Sequence, residues 1–410
     1  FFFFIILLLI TACTPTEARP TSIPTIVTNT PEATAVPTHT PQPPNTPPPT
    51  ATPLPEATAV PPRYIGPTPT PTPNPPNYPM LPSENSLSFT LQNQFGGVPQ
   101  AVLVEGNTAY LAVGPRLVAV DVTNPTAPQF LGQSLVLPDV LYDISQQGSF
   151  IFGAALRGGL VVLNVSDPTD IQLVSSGPNY AGAEQPYAIQ VEVSGERAFV
   201  VNNNTERSTY DLIWFDLSTP ADPAFLNTMP IDSHRGFSAA GDHLFIATRS
   251  GIQVIDPQDP TQEVSRIEAG QEIHYVQTAV YNHLLYLFYV GRDARLAIYD
   301  WSDPANPQMI PQSSPISPDY FSEMSTNESI MAHSSTFAEN GFCRTTMTVF
   351  SLAEAQAPQK TAEFDPENCV TGMDGSGNYL YLVGYSGLQV FHTADPTNPQ
   401  LVGSYTNPDG

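Results

Sequence analysis

Basic residues are scarce in this chain. Lys and Arg together number 13 against 38 Asp and Glu in 410 residues, and the formal net charge is −25. Nucleic acids and anionic lipid surfaces are bound through basic patches, so neither is an expected partner. Three cysteines are too few for a disulfide-built scaffold. Seven histidines occur, none in H-x-x-H or H-E-x-x-H spacing, which leaves a zinc-protease site unsupported. No G-x-S-x-G elbow, Gly-rich phosphate loop or EF-hand spacing is present. Helical periodicity is missing as well, so a parallel α/β fold is not expected. The longest apolar run, FFFFIILLLI, is far shorter than the ~20 residues a membrane-spanning helix needs.

That run opens the chain, and it suits the core of a signal peptide. With no Met and no basic stretch before it, the chain reads as starting inside one. It ends Ile10-Thr11-Ala12-Cys13, small residues before a Cys, which resembles the bacterial lipobox. The expectation is a lipidated Cys13 that anchors the chain to a membrane; more than one acyl chain is needed for stable anchoring. Residues 14–84 read TPTPTPNPP and PQPPNTPPPT, with PEATAVP at 31–37 and again at 55–61. Pro removes backbone donors and fixes φ. So few large apolar residues leave no core to offset the cost of ordering. The composition predicts a disordered, polyproline-II-biased stalk, able at ~3.1 Å per residue to reach roughly 200 Å. Its four acids and two arginines (Glu17, Glu32, Glu56, Glu84, Arg19 and Arg63) sum to −2, which leaves −23 for the globular part, 85–410.

The globular part repeats. Copies begin 117-LVAVDVTNP, 160-LVVLNVSDP, 212-LIWFDLSTP, 252-IQVIDPQDP, 296-LAIYDWSDP, 347-MTVFSLAEA and 388-LQVFHTADP. Aligned on Asp121 they fall at 121, 164, 216, 256, 300, 351 and 392, a mean spacing near 45. Such a period marks a propeller or a related array. Each unit holds four short β-rich runs separated by Gly, Pro and Asp, which predicts a four-stranded antiparallel meander. The third runs are almost continuously apolar, as in strands buried on both faces. A length of 326 divided by 45 predicts seven blades; six, eight or a linear β-solenoid are the alternatives. The segment 86-SLSFTLQNQ could complete the last blade, but 400-QLVGSY already fills that place, so the mode of ring closure stays open.

LVAVD, LVVLN, IQVID and LAIYD, each followed by a D/N-P turn and a second Pro, resemble the LVIVD repeat. The resemblance spans about 100 to 405. It is strong in repeats one, two, four, five and seven, weaker in three and poor in six. It implies an exported β-propeller of bacterial lipoprotein type and no particular reaction.

In a meander the connections after strands one and three share one face of the disc, here the turn face. Those after strands two and four share the opposite one, the loop face. The recurrent Asp and Asn–Pro follow strand three. Asp121 or Asn124 can accept backbone hydrogen bonds there, so the motif reads as a turn; calcium is the alternative occupant. The variable segments lie on the loop face: 202-NNNTERSTYD, 334-SSTFAENGF, and the connections at 175, 265 and 312. Binding residues concentrate in such loops. Candidates there are Tyr142, Tyr187, His234, Arg235, His274 and Tyr320. By the same parity Cys343 and Cys369 open strands of adjacent blades on that face and are expected to form a disulfide.

No catalytic residue or metal ligand is assigned. The expected protein is a monomeric, surface-anchored binding or interaction module with an unknown protein or glycan partner. The alternatives are an extracytoplasmic glycan hydrolase or lyase on the same face, marked by a convergent carboxylate pair, and an assembly factor for a membrane complex.

Overall fold

The computed structural model describes residues 97–410 apart from 178–185, 205–208, 232–236, 241, 249–250, 269–272, 274, 291–293, 312–321, 328, 340–341 and 407–410. Segments 1–13 and 14–84, with Cys13, lie outside the described residues, as do His234, Arg235, His274 and Tyr320.

Among the described residues, twenty-eight strands form seven four-stranded antiparallel sheets, each built from consecutive strands. Blade one runs from Pro99 to Gln133, and blade two from Asp143 to Ser176. Blades three to seven begin at Ala188, Phe237, Tyr275, Ser322 and Val370. The seven first strands are innermost. Each packs against the next, and Val370–Ser376 packs against Pro99–Glu105. The fold is an all-β, seven-bladed propeller. Its ring closes without a shared blade, since 99–133 and 370–405 each complete four strands alone.

Local chemistry explains the blades. In Arg116–Asp121 the four middle residues, Leu117 to Val120, are all buried, because one face packs on blade two and the other on blade seven. The tight turn between strands one and two takes a left-handed residue: Gly106, Gly148, Gly195 and Gly377 have φ of 54–58°, and Asn282 does the same in blade five. In six blades the pairing of strands three and four slips by one residue at the same place, as between Ala119 and Val120. Such a bulge sharpens the local twist.

Two segments expected as loops are largely ladder. Strands Arg197–Asn204 and Thr209–Asp216 carry blade three through Asn202 to Asn204, and Ile330–Glu339 with Phe342–Ser351 do so in blade six. The polar residues that suggested loops still offer backbone groups to a ladder. In blade six Thr336 and Thr345 also pair their hydroxyls, 2.9 Å apart.

Candidate functional site

The recurrent turn is an internal joint. Asp121 Oδ1 accepts the Thr123 N–H at 2.8 Å, and Asn124 Oδ1 accepts the Thr126 N–H and hydroxyl. The first arrangement recurs at Asn164, Asp216, Asp256 and Asp300. The second recurs at Asp167, Asp259 and Asp395, while Asp303 accepts only the Ala305 N–H. Hydrogen bonds from the residues two positions on hold Asp121, Asp167, Asp216, Asp300 and Asp395 below the usual carboxylate range.

The carbonyl four residues after the first Asp position then docks on the preceding blade. Ser265 Oγ donates to Pro304 O and Thr361 Oγ1 to Pro396 O, both at 2.7 Å. In the degraded copy Tyr286 donates to Ala355 O at 2.7 Å. At two further joints the contact is bare backbone on glycine. A Cβ on Gly132 would meet Pro168 O at 2.6 Å, and one on Gly403 would meet Pro125 O at 2.0 Å. Among the described residues no three His, Cys, Asp or Glu converge to hold a metal.

The inner strands hold carboxyls that sequence reasoning passed over. They carry Glu105, Asp143, Glu192, Glu323 and Asp374 and no Lys, Arg or His. An innermost strand has one edge without a ladder partner, so its N–H groups need acceptors. Side chains of the preceding blade supply them. Asp374 accepts Val104 N–H at 2.7 Å, Asp143 accepts Val191 N–H at 2.9 Å, and Ser145 accepts Val193 N–H at 3.0 Å. Ala239 N–H bonds Glu192. Asp374, Ser145 and Glu192 all stand two residues before their strand's end.

Burial pushes Asp143 and Asp374 up to about 6, against the pull of their N–H bonds. It pushes Glu192 to about 8, with the charge of Asp143 adding to the rise. All three keep a sliver of surface, so protein surrounds them without sealing them from water. The available signal was an acid inside a first strand, as in V-E-V or M-D-G.

On the loop face the structure places Tyr142 and Tyr187 at the starts of blades two and three. Tyr142 is 45% exposed. Tyr187 is held by its backbone, donating to Asn202 Oδ1 at 2.6 Å and accepting Asn203 N–H. Cys343 and Cys369 are joined by a disulfide, with Cα atoms 5.4 Å apart. Beneath it Val370 N–H donates to Thr345 Oγ1, and Thr336 Oγ1 donates to Val370 O. Leu135, Val136 and Tyr385 are exposed on the same face.

The family model for the LVIVD repeat matches residues 96–135, 142–177, 286–312 and 375–407, which are blades one and two, most of blade seven and part of blade five. No curated protein matches the sequence. Among solved structures, BamB from Moraxella catarrhalis is similar at 14% identity and TM-score 0.46, over 75% of this chain and 85% of that one. Saccharomyces cerevisiae Sqt1 is similar at 11% identity and TM-score 0.49, over 75% and 86%. A chain of a mitotic checkpoint complex is similar at 11% identity and TM-score 0.52, over 75% of this chain and 100% of that one. At such identities the likeness concerns the fold alone.

Proposed function

Because four stretches of the chain match the LVIVD repeat and the fold is a seven-bladed β-propeller, we propose that it is a non-catalytic binding module. In this reading Cys13 carries the lipid anchor, 14–84 is the stalk, and the loop face meets a protein or glycan partner outside the cell membrane. One observation carries it: the two faces are built differently. On the turn face the recurrent Asp, Asn and Pro-carbonyl groups are bonded to the disc itself. On the loop face large apolar side chains stand exposed. A photo-crosslinking residue placed at Tyr142 should capture a partner in intact cells, and one at Thr123 should not. Capture from Thr123 alone, or from neither, would refute the reading. Cys13→Ala should abolish incorporation of radiolabelled palmitate and release the chain from the membrane fraction.

A glycan hydrolase or lyase is the second reading. The upward shift of Asp143 and Glu192, in adjacent inner strands, favours it, since an acid–base pair needs such tuning. Both carboxyls, however, already accept backbone N–H groups. Turnover of cell-wall glycan that Glu192→Gln abolishes would establish the enzyme.

A further inference from the structure

The connection from blade six to blade seven, residues 365–369, is bound mainly by polar groups. Asp365 Oδ2 accepts the Arg344 Nε–H at 2.9 Å, and Asp365 Oδ1 accepts the Glu367 N–H at 2.8 Å. The Asn368 side chain is buried. It donates to Gln389 Oε1 at 3.1 Å, and Gln389 donates to Pro366 O at 2.9 Å. Asn368 Oδ1 also accepts the Ser386 N–H at 2.9 Å. Gly384 lies flat on the Cys369 carbonyl, with no room there for a Cβ. The connection is therefore the floor of the hairpin 384–387, whose Tyr385 is 68% exposed.

Glu367 has φ of 55°, a left-handed conformation that a residue with a Cβ keeps only when its surroundings impose it. Within 365–369 only Pro366 and Asn368 are buried. Opening the segment would expose little apolar surface, and water would replace its hydrogen bonds. The covalent restraint is the Cys343–Cys369 bond. Both cysteines keep partial exposure, and Arg344 and Glu367 beside them are exposed. The bond thus sits at the surface, where a thiol can approach it.

We propose that Cys343–Cys369 is a redox latch on the loop face. Oxidised, it locks 365–369 in its left-handed turn and, through Asn368, fixes the hairpin that carries Tyr385. Reduced, both segments come loose while the ring stays closed. Blades six and seven remain packed through Ile330, Val349, Val370 and Leu382, and Thr345 and Thr336 still hold the Val370 backbone. The reductant is a dithiol. Its thiolate attacks one sulfur of the Cys343–Cys369 bond, and that bond breaks. Its second thiol then displaces the protein sulfur from the mixed disulfide. Two electrons and two protons pass to the protein, which holds two thiols, and the reductant ends as its own disulfide. The latch concerns local order and holds whether the loop face meets a protein or a glycan.

The test is hydrogen–deuterium exchange on the full chain, oxidised and after dithiothreitol without denaturant, with the thiols counted by alkylation and peptide mapping. Cys343 and Cys369 should both become alkylated while the blades stay folded. At labelling times of minutes, 365–370 and 384–387 should exchange about tenfold faster or more after reduction, and strands of blade two should stay protected. Reoxidation should restore the slow exchange. Asn368→Ala, with the disulfide intact, should loosen 384–387 alone. A bond that dithiothreitol reduces only in urea overturns the latch. So does blade two losing protection together with 365–370, which would make the bond a general brace. Unchanged exchange at 384–387, in the reduced chain or in Asn368→Ala, overturns the link to Tyr385.

Discussion

Glu192 should make this protein less stable as pH rises, and Glu192→Gln should remove that loss. The carboxyl is neutral in the folded chain up to about pH 8, while the unfolded chain ionises near 4.5. Between those values the folded state holds a proton that the unfolded state has released, so stability falls as pH rises and levels off above 8. At about 1.4 kcal/mol per pH unit the full span is about 5 kcal/mol. Glu192 keeps some exposed surface, so about 2–3 kcal/mol is the expected share. Gln cannot ionise and still offers an oxygen to Ala239 N–H. Urea midpoints of wild type and Glu192→Gln should therefore coincide near pH 4.5 and separate by pH 9, with the variant the more stable. Asp143 and Asp374 are pushed the same way, so the difference between the two proteins is the quantity to read. Parallel pH profiles, or a variant that is weaker at pH 9, would refute the reasoning.

Other perturbations address the joints. Gly403→Ala drives a methyl into Pro125 O at the seam of blades seven and one; a loss of about 1–3 kcal/mol is expected by thermal denaturation. His333 is 3% exposed, its ring centroid lies 4.5 Å from that of Phe288, and neither ring nitrogen finds a hydrogen-bond partner among the described residues. Burial pushes its imidazole down to about 4, so it costs stability as pH falls from 6.5 towards 4. His333→Phe should flatten that limb by about 2 kcal/mol in urea titrations at pH 4 and 7. Reducing Cys343–Cys369, which closes a sequence separation of 26, should cost about 3 kcal/mol, read as a lower urea midpoint with dithiothreitol. Excess calcium should leave the melting temperature unchanged if the recurrent Asp residues act only as turn acceptors.

The blades were legible because their signals are local and repeated. The period near 45, the apolar third strands and the Asp–Pro turns each appear within one unit, and repetition separates them from chance. The Asp beside Asn124 could be read as a turn because its partner, Thr123, is two residues away. Tyr142 was reachable by strand parity. Leu135, Val136 and Tyr385 were not singled out, because exposed apolar residues look like any other strand-end residues in a sequence. The inner carboxyls were missed for a different reason. Asp143 and Val191 are 48 residues apart, and Asp374 and Val104 are 270 apart. No local pattern relates an acid to an N–H on another blade.

The sequence by itself determined the four-strand grammar and the face on which the turns lie, and it pointed to seven blades with six and eight as alternatives. All follow from periodicity and strand order, which neighbouring residues encode. Only the tertiary structure decided what the turns are for, how the ring closes, and which carboxyls hold it. Curling the seven sheets into a ring brings the Pro125 carbonyl onto Gly403 and the Asp374 carboxylate onto the bare inner edge of Pro99–Glu105. Those contacts join the two ends of the propeller chain, and they exist only once every blade between them has folded.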